Sequence, residues 1–157
     1  MTHSVERHLS ACLAGWRGDL AAILAGASML FAYAPFEWGV LAVLAPAILF
    51  LLSWLTPARA FRRGYAFGLG LFGAGVNWVF VSIYGFGGVS LPLSLFLTAL
   101  FVCFLALFPA VAGTLAGRAG RRAGCFVALG LIFPASWLLI EWIRGWFLTG
   151  FPWLLLG

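Results

Sequence analysis

One segment of the chain gathers most of the residue types that do chemistry in an otherwise apolar sequence: Glu141-Trp142-Ile143-Arg144-Gly145-Trp146-Phe147-Leu148-Thr149-Gly150-Phe151-Pro152-Trp153. It joins an acid, a base, three tryptophans, two glycines and a proline. Glu141 and Arg144 are three residues apart and so share a helical face, where an ion pair lowers the cost of holding both near lipid. The run Thr149-Gly150-Phe151-Pro152-Trp153 then breaks the helix. Irregular backbone is not tolerated against lipid at membrane depth, so this turn must sit at the interface or against protein. A structural ion pair and an interfacial aromatic belt containing Trp142 and Trp146 account for these residue types. The functional reading is that Glu141, Arg144, Trp146, Thr149, Gly150, Phe151, Pro152 and Trp153 wall a site open to lipid.

Other polar groups are scarce. Asn77 and Ser82 follow a glycine-rich stretch in which Gly64 and Gly68 are four apart, so their small faces let another helix approach closely, with Asn77 as an interhelical hydrogen bond. Gly113 and Gly117 form a second such pair. Cys12, Cys103 and Cys125 make no C-x-x-C pair and have no histidine at ligand spacing, which points away from a metal or a disulfide. No cofactor motif is present. All nine basic residues are Arg, so any step needing a lysine has no residue here to carry it.

These groups must be positioned by a membrane bundle. Of 157 residues, 64% are hydrophobic and 8% charged, with a mean hydropathy of +1.11; a soluble domain carries about 25% charge. Gly64 to Gly117 holds no charge at all and is too long for a single span of roughly 20 residues. The net charge of +5 does not indicate nucleic acid, because the arginines lie in clusters between apolar runs and form no basic face. The sequence predicts an all-α integral membrane protein of about five transmembrane helices: a segment 1–19, spans at about 20–36, 38–58, 64–84, 92–117 and 123–141, and an external interfacial segment 142–157. A cytoplasmic N-terminus places Arg7, Arg17, Arg59, Arg62, Arg63, Arg118, Arg121 and Arg122 inside and only Arg144 outside, as the positive-inside rule requires. Leu9-Ser10-Ala11-Cys12 has the form of a lipobox but no apolar region precedes it, and Ala32-Tyr33-Ala34 is followed by Pro35 and further apolar runs, so the first helix is expected to be retained.

Three stretches carry a family likeness: Phe31-Ala32-Tyr33-Ala34-Pro35-Phe36, Gly73-Ala74-Gly75-Val76-Asn77-Trp78-Val79-Phe80-Val81-Ser82-Ile83, and Glu141 to Trp153. Over about Gly26 to Gly157 the chain resembles the N-terminal membrane half of bacterial apolipoprotein N-acyltransferases. The resemblance implies a multi-pass protein of the bacterial inner membrane, in a family with eight spans and an external nitrilase-like domain. Such enzymes move a fatty acyl chain from phospholipid to the α-amino group of the diacylglyceryl-cysteine of lipoproteins, through a thioester on Cys, with Glu as general base and Lys at the oxyanion.

None of Cys12, Cys103 and Cys125 inherits the nucleophile's context, and Tyr84 stands where the family often has His. The resemblance therefore implies that these residues alone are inactive, as a fragment whose catalytic groups lie elsewhere. The alternative is a small membrane scaffold or binding module that pairs with a separate catalytic chain. Downstream coding sequence separates the two: a continuing nitrilase-like segment favours the first, a separate start codon opening a soluble catalytic partner the second.

Overall fold

The computed structural model describes residues 13 and 15–156, with the side chains of residues 125 and 149 set aside. Arg7 and Cys12, and the terminal Gly157, lie outside the described residues. Every regular element among them is helical, the arrangement that satisfies backbone groups internally in an apolar medium.

Helix α1 (Trp16–Ser28) begins a turn earlier than position 20, taking in Arg17 and Asp19, and continues into a 3-10 turn at Met29–Ala32. The chain reverses at Tyr33–Trp38, where the Trp38 N–H donates to the Phe31 carbonyl at 2.9 Å and the rings of Phe31, Phe36 and Trp38 cluster. Helix α2 (Gly39–Leu55) ends at Thr56, and Pro57 opens a 3-10 turn (Pro57–Arg59) into α3 (Ala60–Gly75). The turn bends the path by 114°, because proline cannot donate the N–H that would continue α2.

Helix α3 stops at Val76. The short α4 (Asn77–Val81) and a π turn (Ser82–Phe86) follow, so the third apolar run is not one straight span. Helices α5 (Leu91–Leu105) and α6 (Leu107–Ala123) run on as a 33-residue apolar helix. It extends past 117, beyond the first charge at Arg118. What ends it is Gly124 at φ 85°, a left-handed conformation that glycine adopts without a Cβ clash. A short turn and a π turn (Ala128–Ile132) lead into α7 (Phe133–Trp146), with Pro134 in its first turn.

Among the described residues, two helices are long and apolar enough to cross a membrane, Leu91–Ala123 and Ala128–Trp146; counting the bent pair Gly39–Leu55 with Pro57–Gly75 as one span makes three. The core lies between α1 and α3, α3 and α6, and α6 and α7. Backbones approach closely there. A Cβ on Gly26 would strike the Phe67 carbonyl and one on Gly70 the Ile23 carbonyl, so α1 and α3 meet main chain to main chain. Gly64 and Gly68 face Pro109, Ala110 and Ala106, and Gly113 and Gly117 face Ser53 and Ala60. Around this core, Val40, Val43, Leu44, Leu93, Leu100, Leu138 and Leu139 are exposed, a surface suited to lipid.

At one end of the bundle, Asp19 pairs with both Arg62 and Arg63. Arg63 is fully buried and also donates to the carbonyls of Leu13 and, at 3.1 Å, Gly15. Arg62 and Arg63 thus do more than mark topology: together they tie α1 to α3.

Candidate functional site

At the opposite end, the last turns of α7 present Glu141 and Arg144 inward, at 8% and 3% exposure. Their nearest approach is 3.9 Å, an i,i+3 ion pair. The stronger partners lie further along the chain. Arg144 donates to the Trp153 carbonyl at 2.6 Å and to those of Phe151 and Leu154 at 3.4 Å. Its guanidinium also lies over the Phe72 ring, 5.1 Å from the centroid. Glu141 accepts from the Leu156 N–H at 3.0 Å, and the Phe151 N–H donates to the Arg144 carbonyl at 3.0 Å. The acid and base therefore form a clasp that folds residues 147–156 back across the end of α7.

The reversal needs backbone that few residues adopt. Leu148, Gly150 and Leu154 lie at φ 50°, 80° and 56°, and a Cβ on Gly150 would meet the Gly145 carbonyl. Leucine in this region carries steric strain, and the Arg144 and Glu141 bonds are positioned to hold it. Gly75 leaves just enough space for the Leu154 side chain, which seats the turn on the end of α3.

Aromatic rings complete the wall. Phe151 stacks on Trp78 at 6.2 Å and meets Phe101 edge-on at 4.9 Å; Trp153 lies 5.5 Å from Trp78. Trp153 is about half exposed, and Pro152 is exposed beside it. Trp146 is also exposed and packs against Trp142 at 5.5 Å. Of the expected site residues, Glu141, Arg144, Gly150 and Phe151 are thus internal supports, and Trp146, Pro152 and Trp153 form the outer surface. The Thr149 side chain lies outside the described set.

Asn77 departs from expectation. It is exposed at the first position of α4 and makes no side-chain hydrogen bond among the described residues. The break at Val76 turns it out of the helix seam, so it does not bond across it.

Trp78, Tyr33, Trp137 and Phe101 were not singled out by residue type or spacing. Three polar atoms close to the clasp are buried without a hydrogen-bond partner among the described residues: Glu141 Oε2, Trp137 Nε1 and the Tyr33 hydroxyl, the last within electrostatic reach of Glu141 and Arg144. A cavity of about 10 Å³ bounded by Phe72, Trp137, Glu141 and Arg144 has room for one water. Larger apolar hollows flank α7. One of about 270 Å³ lies among Phe104, Phe108, Ile143 and Phe147, and another of about 370 Å³ lies among Pro46, Phe133, Trp137 and Leu156. The arrangement can seat apolar chains beside the buried Glu141–Arg144 pair. Among the described residues no cluster of His, Cys, Asp and Glu could hold a metal, and Cys103 is a free thiol on the exposed surface.

Comparison with known proteins gives the family of the chain. Residues 25–157 match the family model described as apolipoprotein N-acyltransferase N-terminal domain. The chain is 49% identical over 140 residues to the apolipoprotein N-acyltransferase of Methylococcus capsulatus, covering 88% of this chain and 27% of that protein. It is 49% identical over 144 residues to the one of Pseudomonas putida, 91% of this chain and 28% of the relative, and 47% identical over 139 residues to that of Vibrio parahaemolyticus, 88% and 27%. It spans about a quarter of the length of these relatives. The three stretches brought together here, the Tyr33 turn, the Trp78 segment and the clasped turn, all lie within the matched region, and the chain belongs to the apolipoprotein N-acyltransferase family, through its N-terminal domain.

Proposed function

We propose that these residues form the membrane-embedded N-terminal part of an apolipoprotein N-acyltransferase, which takes a fatty acyl chain from a phospholipid and transfers it to the α-amino group of a lipoprotein's diacylglyceryl-cysteine. In this reading the protein is multi-pass in the bacterial inner membrane, has about five spans and keeps its N-terminus in the cytoplasm. The clasped turn then faces the external side. No residue here acts as nucleophile or base in the transfer. The role of this part is to receive the lipid: exposed Trp146, Pro152 and Trp153 meet the interface, and the apolar hollows beside α7 accept acyl chains. Glu141 and Arg144 are positioning residues.

The observation that supports this most is the aromatic turn itself, held by Arg144 through three main-chain carbonyls and open on its outer side. A direct test replaces the matching segment of the Methylococcus capsulatus relative with residues 25–157 and measures acyl transfer from a fluorescent phospholipid to an apolipoprotein in membranes. Turnover by the graft is expected, with loss on substituting Arg144 and little change on substituting exposed Val40 in α2, which lies outside the hollows. A properly inserted graft without turnover, or one equally sensitive at Val40 and Arg144, would refute the assignment.

A further inference from the structure

We propose that the hollow between the end of α6 and the Pro57–Arg59 turn binds the headgroup of an anionic phospholipid. The hollow has a volume of about 600 Å³ and is lined by Pro57, Leu115, Arg118, Ala119, Arg121 and Arg122. Leu115, Arg118, Ala119 and Arg122 occupy positions i, i+3, i+4 and i+7 of α6 and so form one stripe. Along it the surface changes from apolar to cationic within about 10 Å of helix rise. A lipid makes the same change between its glycerol backbone and its phosphate.

The three arginines are exposed and make no hydrogen bond or ion pair among the described residues. Among the described residues no acid lies near them to compete. Asp19 is engaged by Arg62 and Arg63, while Glu37 and Glu141 belong to the other end of the bundle. Cations in the last turn of a helix are favourable in themselves, which accounts for Arg121 and Arg122. It does not account for Arg118, a turn earlier, or for a second wall supplied by Pro57 from a different element. Guanidinium forks suit phosphate oxygens, and basic pockets at the headgroup level between helices favour anionic lipids. The site is distinct from the clasped turn and does not depend on the acyl-transfer reading.

The test uses the full chain in detergent and native mass spectrometry with phosphatidylglycerol, phosphatidylethanolamine and soluble glycerol phosphate. Phosphatidylglycerol is expected to bind in preference to phosphatidylethanolamine, and Arg118→Gln with Arg122→Gln to weaken it about 25-fold, from roughly fivefold per basic residue at an anionic surface. Leu115→Trp, which fills the hollow and keeps every charge, should also weaken it. Arg62→Gln removes one charge from the same end outside the hollow and should leave binding unchanged. Undiminished binding by the double variant, equal loss in Arg62→Gln, or displacement by glycerol phosphate as effective as by the lipid would each overturn the proposal.

Discussion

Replacing Arg144 by methionine should unfasten the turn, and the structure sets the scale. The substitution keeps side-chain bulk but removes the donor for the 2.6 Å bond to the Trp153 carbonyl and the longer bonds to Phe151 and Leu154. A hydrogen bond with one charged partner contributes about 1.5–3 kcal/mol. It also strands Glu141, 8% exposed, without its cation; breaking a buried pair from one side costs about 3–5 kcal/mol. These effects overlap, so a total near 4 kcal/mol is expected, roughly 10 °C in unfolding midpoint at this chain length. Substituting Glu141→Gln as well removes the stranded charge, and the double variant should recover about half of the loss. Thermal unfolding in detergent, followed by tryptophan emission, measures the midpoint, and limited proteolysis reports whether residues 148–156 have come free. If the double variant is no more stable than Arg144→Met, the pair does not act as a clasp and the reasoning fails.

Trp78→Ala should expose Phe151 and Trp153 to an aqueous quencher while costing about 1–3 kcal/mol, from the loss of two aromatic contacts and their buried area; unchanged quenching would place the turn elsewhere. Gly26→Ala must push α1 away from α3 and lower the unfolding midpoint by several degrees, whereas Gly73→Ala, with open space around it, should have little effect. Arg63→Ala is expected to cost about 3–5 kcal/mol because it leaves Asp19 short of its buried partner, and Arg62→Ala, whose side chain is 63% exposed, less than about 1 kcal/mol; equal midpoints would contradict the burial argument. In a variant lacking Cys12, Cys103 and Cys125, a cysteine at Phe86 should react with an impermeant maleimide on intact cells and one at Arg121 only after permeabilisation. The reverse pattern would invert the proposed orientation.

Much of the site is legible in the sequence because its parts are marked by composition. The acid and arginine three apart, the helix break around Gly150, and the small residues at 64, 68, 113 and 117 follow from spacing and residue type alone. The clasp does not, because Arg144 reaches main-chain carbonyls, and any residue supplies those. The reversal also depends on Leu148 and Leu154 at positive φ, a conformation that no leucine advertises. Likewise the first charge at Arg118 marks where an apolar span would stop, while the helix itself continues to Gly124, since a helix need not end where lipid does. The break at Val76 was hidden inside an apolar run, and with it the outward turn of Asn77 and the placement of Trp78 on the distant C-terminal turn.

The chemistry of the clasp also sets how freely its surface can vary. Arg144 holds carbonyls and Glu141 holds an N–H, groups that are the same whatever side chain is attached. The main-chain support of the turn is therefore blind to the side chain at 152, which faces outward, whereas Trp153 also packs on Trp78. In the proposed lipid-receiving role, the side chain at 152 can be exchanged to suit a different lipid without rebuilding the scaffold beneath it, so the scope for adapting this surface is wide at that position and narrow at the two charged residues that anchor the turn.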